Sequence, residues 1–424
     1  MRSAGTRLAK PLAMPKLVSL VGSVALIGLV GVAGCVEDPE DLGVAEGDAT
    51  ITQILRNGTY IPNGTYIPNG TYIPNGTGGY SYGTMIQNVY LRAGTLDGLT
   101  APDPVQNGES LIGGYVDQGS LNMLSPTRGW LTNAALVGTT MKANLYGGGT
   151  GFLTVRIDAV EQAPDPTPSW YCPTPDSCVN VSTNENADLY RFGLSWLSPA
   201  HFERRGFTNV YVPASWQPFC PGGNKALVSE GKWRIGQRSD GYLLDLGFDT
   251  TIAQGGLGTF SCEGTGPVAK CMTAGYKPWK SFSKTTCTKY SCTTSTRGGP
   301  DLLQACVRML RADYCGTGET MTTDGTLIDP TDRWNVVGAY TTTWGYEAEW
   351  ESDGARCISA ARYPLLAPFA DPSNPLYNDP RYAKCRTIYA TSQQMAQAGQ
   401  QCGSQTRVDN GTGGWLADRS SSLP

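Results

Sequence analysis

The sequence predicts a mainly β fold with a few short helices, between all-β and α+β, stapled by disulfides and set behind a lipid anchor and a repeat tether. Three observations predict it. Gly supplies 53 of 424 residues and charged residues only 16%, against roughly 7% and 25% in ordinary chains, a balance that favours short strands and turns. Apolar and polar residues alternate in several segments. Twelve of thirteen cysteines fall after residue 170.

Residues 1–34 have the layout of a secretory signal. Arg2, Arg7, Lys10 and Lys16 precede the uncharged Leu17–Gly34 run. That run ends in Val32-Ala33-Gly34-Cys35, which resembles the lipobox of bacterial lipoproteins, so Cys35 is expected to be the acylated mature N-terminus. Two acyl chains suffice for stable anchoring, and Val36 after the Cys points to the outer membrane rather than to inner-membrane retention. Loss of the four signal cations leaves 28 Lys and Arg against 36 Asp and Glu. An acidic chain of this kind is a poor nucleic-acid partner, because phosphate contacts need clustered cations.

Residues 35–79 read as an acidic linker followed by a hexapeptide repeat, "LRNGTY", "IPNGTY", "IPNGTY", "IPNGTG". Each unit carries Asn-Gly turn chemistry and three carry a Pro that removes a ladder donor. Four units are too few to bury a core of their own, so an extended tether is expected. Residues 80–165 form a cysteine-free β-rich segment. In "LTVRIDAV" Leu153, Val155, Ile157 and Ala159 share one face; in "YRFGLSW" Tyr190, Phe192, Leu194 and Trp196 do; in "YLLDLGF" Tyr242, Leu244, Leu246 and Phe248 do. The Pro-rich Gln162–Ser169 stretch reads as a boundary.

Residues 170–403 carry the disulfides, and 404–424 read as a flexible tail. With Cys35 taken by lipid, Cys172, Cys178, Cys220, Cys262, Cys271, Cys287, Cys292, Cys306, Cys315, Cys357, Cys385 and Cys402 make an even set, read as six bridges. Paired zinc spacings are absent and the single His is His201, so no metal or other cofactor is expected. Cys172–Cys178 and Cys287–Cys292 each bracket a short turn. The clearest helix is "GPDLLQACVRMLRADYCG", with Pro300 in its first turn, an apolar face and Gly316 as its expected C-cap. Cys306 and Cys315, nine positions apart on that helix, would be separated by about 13 Å of rise and should bond to different partners. Two more helices are expected, one starting at Asp379-Pro380 and one over Ser392–Cys402.

The blocks "FSCEG…AKCMTAGYKPW", "QACVRMLRADYCG", "TTDGTLID" and "YEAEWESDGARC" resemble the ADYC-domain proteins, predicted lipoproteins and secreted proteins of myxobacteria and related bacteria. The resemblance covers roughly Tyr190 to Arg362, with a looser match upstream, and centres on Ala312-Asp313-Tyr314-Cys315. It implies export and disulfides and no known activity. Family members often carry a His before the Ala-Cys pair, where this chain has Gln304, which argues against a shared catalytic His; the Cys287–Cys292 loop has the look of an insertion.

Candidate chemistry is sparse. "SPAHFERRG" reads as a short helix with His201 in an exposed first turn, so a serine or cysteine hydrolase has no evident base. In "YEAEWES", Glu347, Glu349 and Glu351 line one strand face, a row that would suit a carboxylate-dependent hydrolase of polysaccharide or peptide, or a calcium site. Alternation alone makes a solvated face the favoured reading. Asp324, Asp329 and Asp332 in "DGTLIDPTD" offer calcium oxygens, with an Asp-rich turn favoured. Ten Trp and 21 Tyr raise a carbohydrate-binding module, although most should be core. The expected function is a non-enzymatic outer-membrane lipoprotein, tethered through Cys35, with an envelope or surface role that is either structural or the binding of an envelope protein or polysaccharide.

Overall fold

The computed structural model describes residues 55–56, 72–73, 84–96, 99–146, 152–163, 187–198, 201–205, 208–220, 224–237, 243–249, 256–263, 266–287, 291–318, 327–334, 336, 344–362, 371–404, 407–408 and 413–420. Cys35, Cys172, Cys178, Tyr242 and Asp324 lie outside them, so the anchor and the Cys172–Cys178 pairing are not described. Among the described residues no helix is long and apolar enough to cross a membrane.

In chain order the principal strands are β1 (Thr84–Tyr90), β2 (Gly114–Asp117), β3 (Ser120–Ser125), β4 (Gly129–Thr132), β5 (Thr140–Tyr146), β6 (Phe152–Gln162), β7 (Tyr190–Ser198), β8 (Ala226–Glu230), β9 (Leu257–Cys262), β10 (Leu327–Asp332), β11 (Gly345–Glu351), β12 (Gly354–Ile358) and β13 (Leu416–Ser420). The helices are α1 (Pro267–Thr273), α2 (Gly299–Arg311) and α3 (Ala383–Gln397).

Six strands close into an antiparallel barrel, because β1 pairs with both β5 and β9 and the ring runs β1-β9-β8-β7-β6-β5. Closure leaves no free edge within the ring. The expected alternation holds where one strand face meets the core: Leu153, Val155 and Ile157 on β6 and Phe192, Leu194 and Trp196 on β7 are buried in one apolar cluster. Ala159 departs from it. A bulge between Ile157 and Ala159 shifts the β6–β7 register and turns Ala159 outward. The inner face of the small sheet β4-β3-β2, with Val116, Leu121, Met123 and Leu131, joins the same cluster. Strands on both sides of the Pro-rich stretch, β6 and β7, pair directly, so the expected boundary falls inside one sheet.

The second layer is a five-stranded antiparallel sheet, ordered Leu55–Arg56, β10, β13, β11, β12, against which α1, α2 and α3 pack a second apolar cluster. Two predictions change here. The expected tail supplies β13, hydrogen-bonded on both sides, because Leu416 and Ala417 are core residues. Parts of the expected tether dock as strands: Leu55–Arg56 extends this sheet and Tyr72–Ile73 pairs with β1. The remaining repeat residues lie outside those described.

The residues around His201 are a strand, not a helix. His201–Arg205 pairs antiparallel with Thr208–Val212, as the β-branched and aromatic content of "TNVYV" favours. The helices expected at Asp379 and at Ser392 are parts of one helix, α3, entered through 3₁₀ turns at Pro375–Asn378 and Pro380–Tyr382. Nothing between Ala383 and Gln397 breaks it, and Cys402 lies beyond its end. α1 was not anticipated from the sequence; Pro267 in its first turn was the available signal.

Candidate functional site

Helix α2 begins at Gly299 with Pro300 in its first turn and is buried from Leu302 through Arg311. It ends at Ala312, not at Gly316: Ala312 adopts a left-handed conformation (φ 51°, ψ 37°), and its N–H donates to the carbonyls of Arg308 and Met309. A side chain in that region costs about 1–2 kcal/mol, so neighbouring contacts must hold it. Asp313 N donates to Arg308 O at 3.0 Å, and the buried Asp313 carboxylate ion-pairs with Arg308 while accepting from Gly318 N at 2.9 Å. Gly316 (φ 67°) is required for a different reason. A Cβ there would sit 1.8 Å from Asp353 O in the β11–β12 turn.

Tyr314 stacks on Trp350 with ring centroids 5.1 Å apart. Its hydroxyl donates to Glu347 Oε1 at 2.7 Å and accepts from Arg362 N at 2.9 Å. Arg362 Nε donates to Glu347 Oε1 and Oε2 at 2.6 and 2.7 Å, and Nη2 reaches Asp418 Oδ2 at 3.0 Å and Met309 O at 2.5 Å. Trp350 Nε1 donates to Asp418 Oδ1 at 2.9 Å. Glu347, Asp418, Arg362 and Tyr314 are all buried. Burial pushes Asp418 well above the usual carboxylate range and the Glu347 carboxylate pushes it further. Burial raises the Tyr314 hydroxyl too, again reinforced by Glu347. Burial works against the Arg362 cation, but Glu347 and Asp418 more than offset it and its pKa is raised.

Glu349 forms a second sealed contact. Its Oε1 accepts from Gly403 N at 3.0 Å and Arg407 Nε at 2.7 Å, and its Oε2 from Gly414 N at 2.8 Å. The solvated-face reading of this strand is therefore wrong for two of its three acids: Glu347 and Glu349 are fully buried and only Glu351 is half-buried. The cause is that β11 is covered on both faces, its polar side filled by arginines 15 and 58 positions away. Glu349 also lies within 4.8 Å of the sulfurs of Cys357 and Cys402. Those sulfurs are bonded to each other, which removes them as ligands.

Five disulfides join described cysteines: Cys220–Cys262, Cys271–Cys306, Cys287–Cys292, Cys315–Cys385 and Cys357–Cys402. Cys287–Cys292 closes the end of a hairpin, as its spacing suggested. Cys306 and Cys315 take different partners, as expected, and α2 nonetheless ends four residues before Cys315. Asp329 and Asp332 belong to strand β10 rather than to a turn, and both are buried. Asp332 Oδ1 accepts from Trp334 N at 2.7 Å and Val336 N at 3.2 Å, while Oδ2 accepts from Tyr276 at 3.2 Å. The side chain of His201 lies outside what the structure describes.

Space for a ligand occurs elsewhere. The exit of β12, the side of α3 that faces it and the Gln400–Cys402 turn enclose a pocket of about 530 Å³ whose twelve lining residues include no charged side chain. Ile358, Ala361 and Ile388 supply apolar wall, and Tyr389, Gln393 and Gln401 supply polar groups. Ser392 ties the walls together, accepting from Ile358 N at 2.9 Å and donating to Ile388 O at 2.7 Å. Cys315–Cys385 and Cys357–Cys402 staple the helix and the turn in place. Sequence carried no signal for this pocket, since its walls come from segments joined only by packing and disulfides.

The architecture defines a class: a closed β-barrel fused to a disulfide-stapled sheet-and-helix layer. Residues 133–364 match the ADYC domain, and the chain belongs to the ADYC domain family. The match takes in the stretch upstream of Tyr190 where the sequence resembles the family more loosely. No curated protein and no solved structure matches the chain.

Proposed function

We propose that this protein is an exported, lipid-anchored binding protein of the bacterial outer membrane, without catalytic chemistry of its own, and that the uncharged pocket beside α3 seats its ligand. One observation carries the reading. The acids that suggested hydrolysis, Glu347 and Glu349, are buried against arginines and backbone N–H groups, whereas the concavity beside α3, among the described residues, is uncharged. A general acid or base must reach its substrate within hydrogen-bond distance. These two reach only protein. The pocket volume lies in the roughly 300–1,000 Å³ range of small-molecule sites, and its apolar walls with few polar groups suit a neutral, partly apolar compound.

The anchor is tested by labelling cells with a fatty-acid probe, which should mark the wild-type chain and not Cys35→Ser. The pocket is tested by native mass spectrometry of the purified full chain. A bound neutral mass is expected, released on denaturation and lost in Ala361→Trp, which fills the pocket. Turnover of polysaccharide or peptide substrates that Glu347→Gln abolishes, with the fold intact, would overturn the non-enzymatic reading.

A further inference from the structure

Six large apolar side chains are exposed among the described residues, and five of them (Val105, Ile112, Tyr115, Trp130 and Val137) fall between residues 105 and 137. Register places two of these on the outer face of the β2-β3-β4 sheet. Trp130 on β4 lies opposite Leu124 on β3, and Tyr115 on β2 lies opposite Asn122, which on its other side faces Thr132. Trp130 is 55% and Tyr115 41% exposed, yet they hold each other edge to face at 5.2 Å. Ile112 extends the apolar edge, its N–H donating to Leu124 O at 2.9 Å. Beside this edge runs a polar row in which Thr132 Oγ1 donates to Asn122 Oδ1 at 2.8 Å, and beyond it come Ser120 and Asp117.

The platform is fixed from beneath and at one end. Its inner face is part of the barrel's apolar cluster. Its β2–β3 turn, left-handed at Gln118 and Gly119, packs so tightly that a Cβ on Gly119 would meet Asp188 O at 2.9 Å and the Trp279 ring at 3.1 Å. Asp188 is in turn held by Lys277 and by Trp279 Nε1 at 2.8 Å. A surface ordered in advance has little entropy to lose on binding.

Charge selects the occupant. Arg128, in the β3–β4 turn, is paired with Glu109 at 3.0 Å, so the one formal charge on the face itself is the exposed carboxylate of Asp117. A polyanion or an anionic membrane finds no clustered cations there to replace its counterions. A neutral polyol finds both things it needs: aromatic faces for its C–H surface, and amide, hydroxyl and carboxylate groups for its hydroxyls. We propose that the outer face of β2-β3-β4 is a binding platform for a neutral polysaccharide, with Trp130 and Tyr115 stacking on sugar rings and Asn122, Thr132 and Asp117 receiving their hydroxyls. The platform precedes residues 133–364, the part matching the ADYC domain, and is separate from the pocket beside α3.

The test is native affinity electrophoresis of the full-length protein in detergent, in gels containing hydroxyethyl cellulose, soluble mixed-linkage β-glucan or soluble starch. Retardation in at least one gel is expected. It should weaken about tenfold in Trp130→Ala, the loss of one aromatic anchor, and less in Asn122→Ala, while both variants unfold at the wild-type temperature. Ala361→Trp should leave retardation unchanged, so this test and that of the pocket fail independently. Three results would overturn the proposal: no retardation in any gel, equal retardation of Trp130→Ala, or glycan-independent self-association lost in Trp130→Ala, which would make the face a contact between copies of the chain.

Discussion

In the barrel, six strands close on themselves around an apolar cluster, with Cys220–Cys262 as the disulfide reaching that cluster. In the second layer an open sheet and three helices hold three of the other described disulfides, while Cys287–Cys292 closes a separate two-stranded hairpin. Every buried Asp, Glu and Arg among the described residues lies at or beyond Arg308. A closed ladder satisfies its backbone internally and needs only apolar filling. An open sheet packed under helices has loop ends and helix ends to satisfy as well, and here charged side chains do it: Arg362 takes the last carbonyls of α2 while neutralising Glu347. The family motif belongs to this second strategy. Ala312 turns the chain, Asp313 pins it, Tyr314 bridges to Glu347 and Cys315 fastens it to α3.

The difference can be broken most severely at Arg362. Arg362→Met leaves Glu347 and Asp418 buried without their cation and should cost about 3–5 kcal/mol in urea unfolding. Replacing Arg362, Glu347 and Asp418 together by apolar residues should recover most of that loss, since a sealed ion cluster is often no more stable than well-packed hydrophobes. Recovery would mark the cluster as a specificity device; continued loss would mark it as a net stabiliser.

Removing Cys315–Cys385, which spans 70 positions, should lower stability by about 4 kcal/mol in the loop-entropy account, against about 2 kcal/mol for Cys287–Cys292, which spans five. Paired Cys→Ser variants compared by thermal unfolding would show it. Equal losses would place the effect in native-state packing. In the barrel, Ile157→Val should cost only about 1 kcal/mol, and no single barrel substitution of that size should approach Arg362→Met.

Strand faces were legible where a strand had core on one side and a more open face on the other, as Leu153, Val155 and Ile157 demonstrate. The same rule failed on β11 because polarity there reports a partner, not water. Arg362, Arg407 and Asp418 carried no sequence signal tying them to Glu347 or Glu349, and Asp418 sat in what resembled a loose tail. Asp418 reaches the cluster only because β13 inserts between β10 and β11. The C-terminus of α2 was misplaced for a local reason: Gly316 advertises a left-handed turn, but Ala312 makes the one that stops the helix.

The smallest expected effect is in pH dependence, where the halves should tilt in opposite directions. Asp418, raised by burial, contributes stability that is complete below its unfolded pKa of about 3.9 and is lost as pH rises through its raised folded value. Glu109 is drawn down to about 2 by the hydroxyls of Thr127 and then Ser125. Its contribution is present above about pH 4.5 and is lost as pH falls toward 2. Urea midpoints measured from pH 3 to 8 should lose part of their decline with rising pH in Asp418→Asn, and part of their decline toward acid in Glu109→Gln. Parallel slopes in both variants would show that neither group is a separate contributor.

Barrel closure through β1 also dictates an order of events as the chain is made. β1 is the first strand of the ring to emerge and meets β5 soon afterwards, but its other neighbour in the ring, β9, begins at Leu257, 167 positions after Tyr90. Until β9 arrives, the Val89–Tyr90 end of that strand, which Tyr72–Ile73 does not cover, offers an open ladder to any passing segment, and the pairing that seals it is among the most distant in sequence, the kind that forms slowly. A nascent chain halted before residue 257 would therefore be a template for joining to its own kind. The completed ring, having consumed that edge, would not.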